Sequence, residues 1–365
     1  MESRPARAAS RGSLLWKVAI VAGLFVVAGV LFYMRAERRN AAQADAGTMA
    51  TDEPTSTPSV EAGPLPPLEP NEVRSDATAH RTGPNALVVA RWGSHRDELG
   101  RDRPQEGNPE GPMSLVLAGD QLLVLDQVNG RLARYSKDGK LLATSDAPKT
   151  AQDIAVGKDG TVAMIDRLVE KTVTLVDSNG KKIGELSLAG RVPDPGLVTA
   201  VIVDGKDVYV EKEHGSLVLL GTTDGKGADQ PTELTGRPSK DGALLLTAGL
   251  SNKEQGRAYL NAVDRKTSSL RFARAIAFPK PALGIVLLDT DAKGTIYLGV
   301  ASGDPGDAQI ACLDPGDGHV VGRVTLPLSH TAEESFRDFT VGSDGTIAFA
   351  VRTDEDIQYR TARCP

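Results

Sequence analysis

Asp126, Asp166 and Glu211 each close a short apolar or β-branched run and open a polar loop. Carboxylates placed alike in this way do one of two things. They form an acidic rim that attracts a cation or a basic partner, or they accept hydrogen bonds from the amides of their own loops. His214 stands beside Glu211 and Glu213, so it is the candidate general base. The other histidines, His80, His95, His319 and His330, make no pair at helical or metal-ligand spacing. No Gly-x-Ser-x-Gly elbow is present to carry a serine nucleophile. Asp126, Asp166, Glu211 and His214 are therefore candidates for binding, and no residue is assigned to catalysis.

These residues need elements to hold them, and the chain divides by composition. It carries a net charge of −6 with 4% aromatic residues, which argues against nucleic acid as a partner. Residues 14–34 form one apolar stretch interrupted only by Lys17, with Trp16 and Tyr33 near its ends. That length suits a transmembrane helix, and a lysine near the end can reach the interface. Ala42-Gln43-Ala44 resembles a cleavage site, but Arg35, Glu37, Arg38 and Arg39 separate it from the apolar run, so an uncleaved signal-anchor is expected. Arg4, Arg7, Arg11 and Lys17 precede the span, which places a short tail, residues 1–13, in the cytoplasm. Residues 35–84 are acidic and rich in proline without hydrophobic periodicity, so they read as a disordered stalk. As a coil the stalk spans roughly 35–40 Å, and in polyproline geometry it reaches ~140 Å.

From residue 85 to residue 365 the chain repeats a unit of four strands. The clearest copy runs Ile154–Val156, a turn at Asp159-Gly160, Thr161–Ile165, a polar loop, Thr172–Val176, a turn at Asn179-Gly180, and Lys182–Leu186. The first turn recurs at Gly119, Gly160, Gly205, Gly242, Gly294 and Gly345. Four strands every ~40–50 residues predict an all-β fold, a six-bladed β-propeller. The last unit holds only three strands, and residues 86–92 supply the missing one, closing the ring without an open edge. Cys312 and Cys364 fall at nearly equivalent places in neighbouring blades. Such positions should lie beyond the ~7 Å Cα limit of a disulfide unless the C-terminal strand bends inward, so two buried thiols are expected.

Arg91-Trp92-Gly93, Pro109-Glu110-Gly111-Pro112, and Leu122–Asp126 followed by Asn129-Gly130-Arg131-Leu132 resemble the NHL-repeat pattern, within the TolB-like six-bladed group. That resemblance implies the propeller fold, which hosts binding modules and enzymes alike. Glu110-Gly111-Pro112 with Leu122–Asp126 also resembles the senescence-marker/gluconolactonase family. There it implies that Glu110 is one ligand of a divalent cation in the central channel. The corresponding start of the fifth unit, Leu283–Asp289, lacks the Asn-Gly ligand of that family. A streptogramin-lyase-like propeller would want a histidine such as His214, but no second motif accompanies it.

Glu110 therefore joins the binding candidates. The expected function is a membrane-tethered, extracytoplasmic scaffold for a protein or cell-envelope component, held in a bacterial-type inner membrane and needing no cofactor. The alternative is a metal-dependent hydrolase or lactonase. A reporter active only outside the cytoplasm, fused after Pro365, should be active; activity confined to a cytoplasmic reporter would reverse the assigned orientation.

Overall fold

The computed structural model describes residues 86–365 apart from residues 231, 304, 305 and 330. The expected tail, membrane helix and stalk lie outside these residues. Among the described residues no helix is long and apolar enough to cross a membrane.

The turns set the architecture. All six first-turn glycines have positive φ, from 56° at Gly119 to 85° at Gly294, a region in which a Cβ is strained. In the second turn of the fourth unit a non-glycine residue, Ser268, takes the left-handed angle, φ 56°, and the Asp264 carboxylate holds the turn by accepting the Lys266 and Thr267 amides at 3.0 and 2.9 Å. Each pair of turns folds its unit into a four-stranded antiparallel sheet, and there are six such sheets. The fold is the six-bladed propeller that the repeat predicts.

The innermost strands, from blade one to blade six, are Ser114–Ala118, Asp153–Val156, Val198–Asp204, Arg237–Pro238, Ala282–Thr290 and Phe339–Val341. Blade six is completed by Ala86–Arg91, which pairs antiparallel with Asp356–Ala362, Val89 opposite Gln358 and Arg91 opposite Asp356. The strand ends at Arg91. Trp92 beyond it donates its indole N–H to the Thr353 carbonyl at 3.0 Å and lies under the Arg101 guanidinium at 4.9 Å.

Apolar side chains alternate along the strands and meet between neighbouring blades. Val88 and Ala90 of the closing strand join Leu115, Leu122, Ile357 and Tyr359 in the core between blades six and one. Val89 points the other way and is 58% exposed. Similar clusters fill the joints one–two, two–three, four–five and five–six. Among the described residues no such cluster spans blades three and four.

Cys312 and Cys364 are bonded, with Cα atoms 6.5 Å apart, which corrects the expectation of two thiols. Cys364 is not equivalent to Cys312. It follows the third strand of blade six, which ends at Ala362, whereas Cys312 lies within the third strand of blade five. The tail therefore leaves its own sheet and crosses to blade five. Gly322, paired with Cys312, makes room for it: a Cβ there would meet Cys364 Cβ at 3.3 Å and the Pro365 carbonyl oxygen at 3.1 Å. The bridge closes a loop across 52 residues and contributes about 2–4 kcal/mol.

Truncation tests the closure. Removal of residues 1–81 should leave the melting temperature of the propeller unchanged. Removal through Trp92 strips Val88, Ala90 and Trp92 from the core, several kcal/mol at about 1.5–3 kcal/mol per large apolar side chain, and exposes an unpaired edge. The longer deletion should unfold or aggregate, and equal melting temperatures would disprove closure by this strand.

Candidate functional site

The innermost strands surround a cavity of about 1660 Å³. Small-molecule sites commonly measure ~300–1,000 Å³, so this one has room for a longer segment. One wall is formed at blade four, whose innermost strand is only Arg237–Pro238. Those two residues pair with Leu245 and Leu246, so the rest of the second strand, through Asn252, has no inner neighbour in its sheet. Ala248, Gly249 and Leu250 of that strand line the cavity together with Leu283, Val286 and Leu287 of blade five.

Several charged groups of the cavity are joined across blades. Glu211, on the second strand of blade three, is 2% exposed. Arg237 of blade four grips it as a fork, Nε to Oε1 at 2.7 Å and Nη2 to Oε2 at 2.8 Å, and its Nη1 donates to the Leu288 carbonyl of blade five at 3.0 Å. The Thr199 hydroxyl donates to the same carboxylate at 2.8 Å. Burial alone would raise the Glu211 carboxyl, but the charge and hydrogen bonds of Arg237, with His214 and Thr199 adding, hold it well below the usual carboxylate range.

Two further junctions follow the same logic. The ammonium of Lys240 contacts Asp289 and donates to the Thr290 and Val341 carbonyls at 2.7 and 2.9 Å, joining blades four, five and six. Arg337, just before the innermost strand of blade six, donates to Asp153 of blade two at 2.6 Å. Asp153 also accepts from Ser114 of blade one at 2.6 Å and from the Val201 amide of blade three at 3.0 Å.

The residues singled out in the sequence fall in different surroundings. Asp126 is fully buried and accepts from the Gly100 amide at 2.8 Å, from Asn129 at 2.9 Å and from Arg131 at 2.7 Å. Asp166 is likewise buried and accepts from the Leu168 and Val169 amides at 3.1 and 2.9 Å and from the Thr150 hydroxyl. Both do the work of loop caps, and neither presents a free carboxylate at a rim. Glu110 is exposed, and its backbone, not its carboxylate, makes the local contacts: its amide donates to the Asp102 carbonyl at 2.8 Å.

Glu211 and His214 are the two candidates that reach the cavity. His214 is exposed, and its Nδ1 lies 3.6 Å from Glu211, beyond hydrogen-bonding distance. Glu213 and His214 both take left-handed backbone angles, φ 52° and 56°, and the His214 amide donates to the Thr199 hydroxyl at 3.1 Å. With Glu211 committed to Arg237, the pair does not supply the oriented base that proton transfer requires.

A divalent cation needs several oxygen ligands converging on one point. Among the described residues, Asp314, Asp317 and His319 are the one set close enough to share an ion, and they sit on a turn of blade five away from the cavity wall. Glu110 is exposed, does not line the cavity and belongs to no such set among the described residues.

Arg237, Lys240, Arg337, Asp153 and Asp289 went unnoticed in the sequence. Their signal was a charge in or next to a short run that precedes a first-turn glycine, where the innermost strand must lie.

The chain matches no known family model and no curated protein. Solved structures align with it at low identity. Hydrazine synthase of Kuenenia stuttgartiensis aligns at 14% identity over 68% of this chain and 80% of that one, with a TM-score of 0.45. BamB of Moraxella catarrhalis aligns at 13% over 76% and 97%, TM-score 0.37. A catalytically inactive virginiamycin B lyase of Staphylococcus aureus aligns at 12% over 72% and 88%, TM-score 0.39. The likeness is one of architecture and carries no function with it.

The Glu211–Arg237 junction sets an acid limit. Because the Glu211 carboxyl is depressed when folded, its contribution is complete above its ordinary value of 4.5 and is lost as pH falls from there toward the depressed folded value. Glu211→Gln should flatten that part of the acid-denaturation curve. At neutral pH it should cost toward the lower end of ~3–5 kcal/mol, since it leaves Arg237 unpaired. An unaltered acid limb in the variant would show that Glu211 is not the titrating group.

Proposed function

We propose that the protein is an NHL-type binding propeller, anchored in a bacterial-type inner membrane by residues 14–34 and carried outside the cytoplasm on the stalk 35–84. Its partner is a protein or a cell-envelope component, a segment of which enters the cavity. The proposal invokes no cofactor, no nucleic acid and no catalytic step.

The observation that carries this reading is the state of the cavity's carboxylates. Asp204, Glu211, Asp289 and Asp338 each face a cation of the protein itself, Arg265, Arg237, Lys240 and Arg352. Asp241 accepts from its own turn, from the Ser239 hydroxyl at 2.5 Å and the Ala243 amide at 3.1 Å. Acids committed in this way are poor metal ligands and poor bases. What the wall offers instead is apolar side chain and strand edge, and Leu283 among these is 58% exposed. Such a surface favours an extended, partly apolar segment over a small polar metabolite.

A photo-crosslinking residue placed at Leu283 of the full-length, membrane-bound chain tests this. It should give a covalent adduct with a discrete envelope component, whereas the same residue at Val89, on the outer edge of blade six, should not. Absence of an adduct from the cavity position, together with stoichiometric Ca²⁺ or Zn²⁺ and hydrolysis of lactones, would replace this reading with the metal-dependent hydrolase.

A further inference from the structure

Among the described residues, the buried Nη2 of Arg134 has no acceptor. Arg134 lies on the third strand of blade one, paired with Leu123 on one side and Ala143 on the other. Leu123 belongs to the cluster packed against blade two, so Arg134 shares that face. Its Nη2 is buried, and no acceptor among the described residues lies within hydrogen-bond distance of it. Asp177 acts on it only at longer range, since that carboxylate accepts the Asn179 and Lys181 amides of its own turn, both at 2.9 Å. Burial pushes the guanidinium below its ordinary value, with Asp177 opposing. A guanidinium stays protonated throughout the physiological range. The joint between blades one and two therefore keeps a partly desolvated positive charge, an arrangement that costs stability.

One further observation points to what would compensate it. Arg134 lies on the wall of the cavity, in an arm bounded by Gln121, Lys158 and Ser178, which add an amide, an ammonium and a hydroxyl donor. We propose that this arm binds the anionic group of a ligand, a carboxylate or a phosphate, with Arg134 as its principal contact. A planar guanidinium meets either group with two parallel hydrogen bonds, which a lysine cannot do. The site is separate from the wall at blade four, and it stands whether or not the membrane anchor or the partner proposed above is correct.

Arg323 provides the control. Its Nε and Nη2 are buried without partners among the described residues, and burial brings its guanidinium down to about 10. It lies on the outer strand of blade five, opposite Ala311, and not on the cavity wall. It shares the unpaired charge but not the access.

The test measures the melting temperature and the binding isotherm of the full-length protein with inorganic phosphate and with acetate, each against chloride at equal ionic strength. Wild type should gain a saturable rise with at least one of them; a response to phosphate alone assigns a phosphate group, and one to acetate alone a carboxylate. Arg134→Gln should melt higher than wild type without anion and bind at least about tenfold more weakly, and Arg134→Lys should recover part of the affinity. Arg323→Met should also melt higher yet keep the full anion response. No saturable response in wild type, or an equal response in Arg134→Gln, would overturn the proposal.

Discussion

The antiparallel pairing of Ala86–Arg91 with Asp356–Ala362 turns six sheets into a ring. Without it the chain has two unpaired edges and a sixth blade of three strands. With it every blade has a neighbour on each side, and each core is shared between two blades. The rest of the structure adapts to this strand. The second turn of blade one presses against it so closely that a Cβ on Gly139 would meet the Leu87 carbonyl oxygen at 1.8 Å. The segment leading from the strand into blade one is fastened back to blade six, Arg101 and Arg103 both donating to Glu333, at 2.5 and 2.6 Å. The disulfide then ties the C-terminal tail to blade five. Closure is thus secured on both sides of the strand that makes it.

A closed ring brings innermost strands toward a common axis, and the charges they carry must come with them. The arrangement found here resolves that crowding by pairing each charge with a group from another blade. Arg237 reaches from blade four to Glu211 of blade three and to the Leu288 carbonyl of blade five, and Asp153 gathers groups from blades one, three and six. After desolvation, buried pairs of this kind add little net stability, but removing one partner is costly. Their contribution is to hold neighbouring blades in register. This matters most at the joint between blades three and four, where Glu211–Arg237 and Asp204–Arg265 stand in place of an apolar cluster.

The repeat was legible in the sequence because it is written in residues with one conformational purpose. Asp159-Gly160 and Asn179-Gly180 mark hairpin turns through local backbone geometry, and the apolar alternation between them needs only a period of two. The site was legible in part. Asp126, Asp166 and Glu211 are marked by position, and the amides that Asp166 accepts, Leu168 and Val169, are local, but decisive partners of Asp126 and Glu211 are remote in sequence. Gly100 caps Asp126 across a separation of 26, and Arg237 meets Glu211 across the same separation. No local pattern distinguishes a carboxylate held by a distant arginine from a free one. The disulfide escaped for a related reason. Equivalence between Cys312 and Cys364 assumed that the tail stays in its sheet, whereas room for its departure is created by Gly322, a residue of a different strand.

Departures from the repeat converge on blade four. Its innermost strand is the shortest of the six, its second turn uses Asp264 and not glycine, and its joint with blade three is polar. A two-residue inner strand leaves Ala248, Gly249 and Leu250 of the second strand facing the cavity without an inner neighbour in their sheet, so the irregularity itself exposes this wall. Regular blades can build a ring, but their equivalence gives a ligand no reason to prefer one part of the axis over another. The ion pairs keep the irregular blade aligned, which allows the wall to open without the ring opening. Blade four thus gives one wall of the cavity a strand edge and apolar side chains that the regular blades do not offer. The buried Nη2 of Arg134, without an acceptor among the described residues, marks the opposite case, a regular joint distinguished by one side chain.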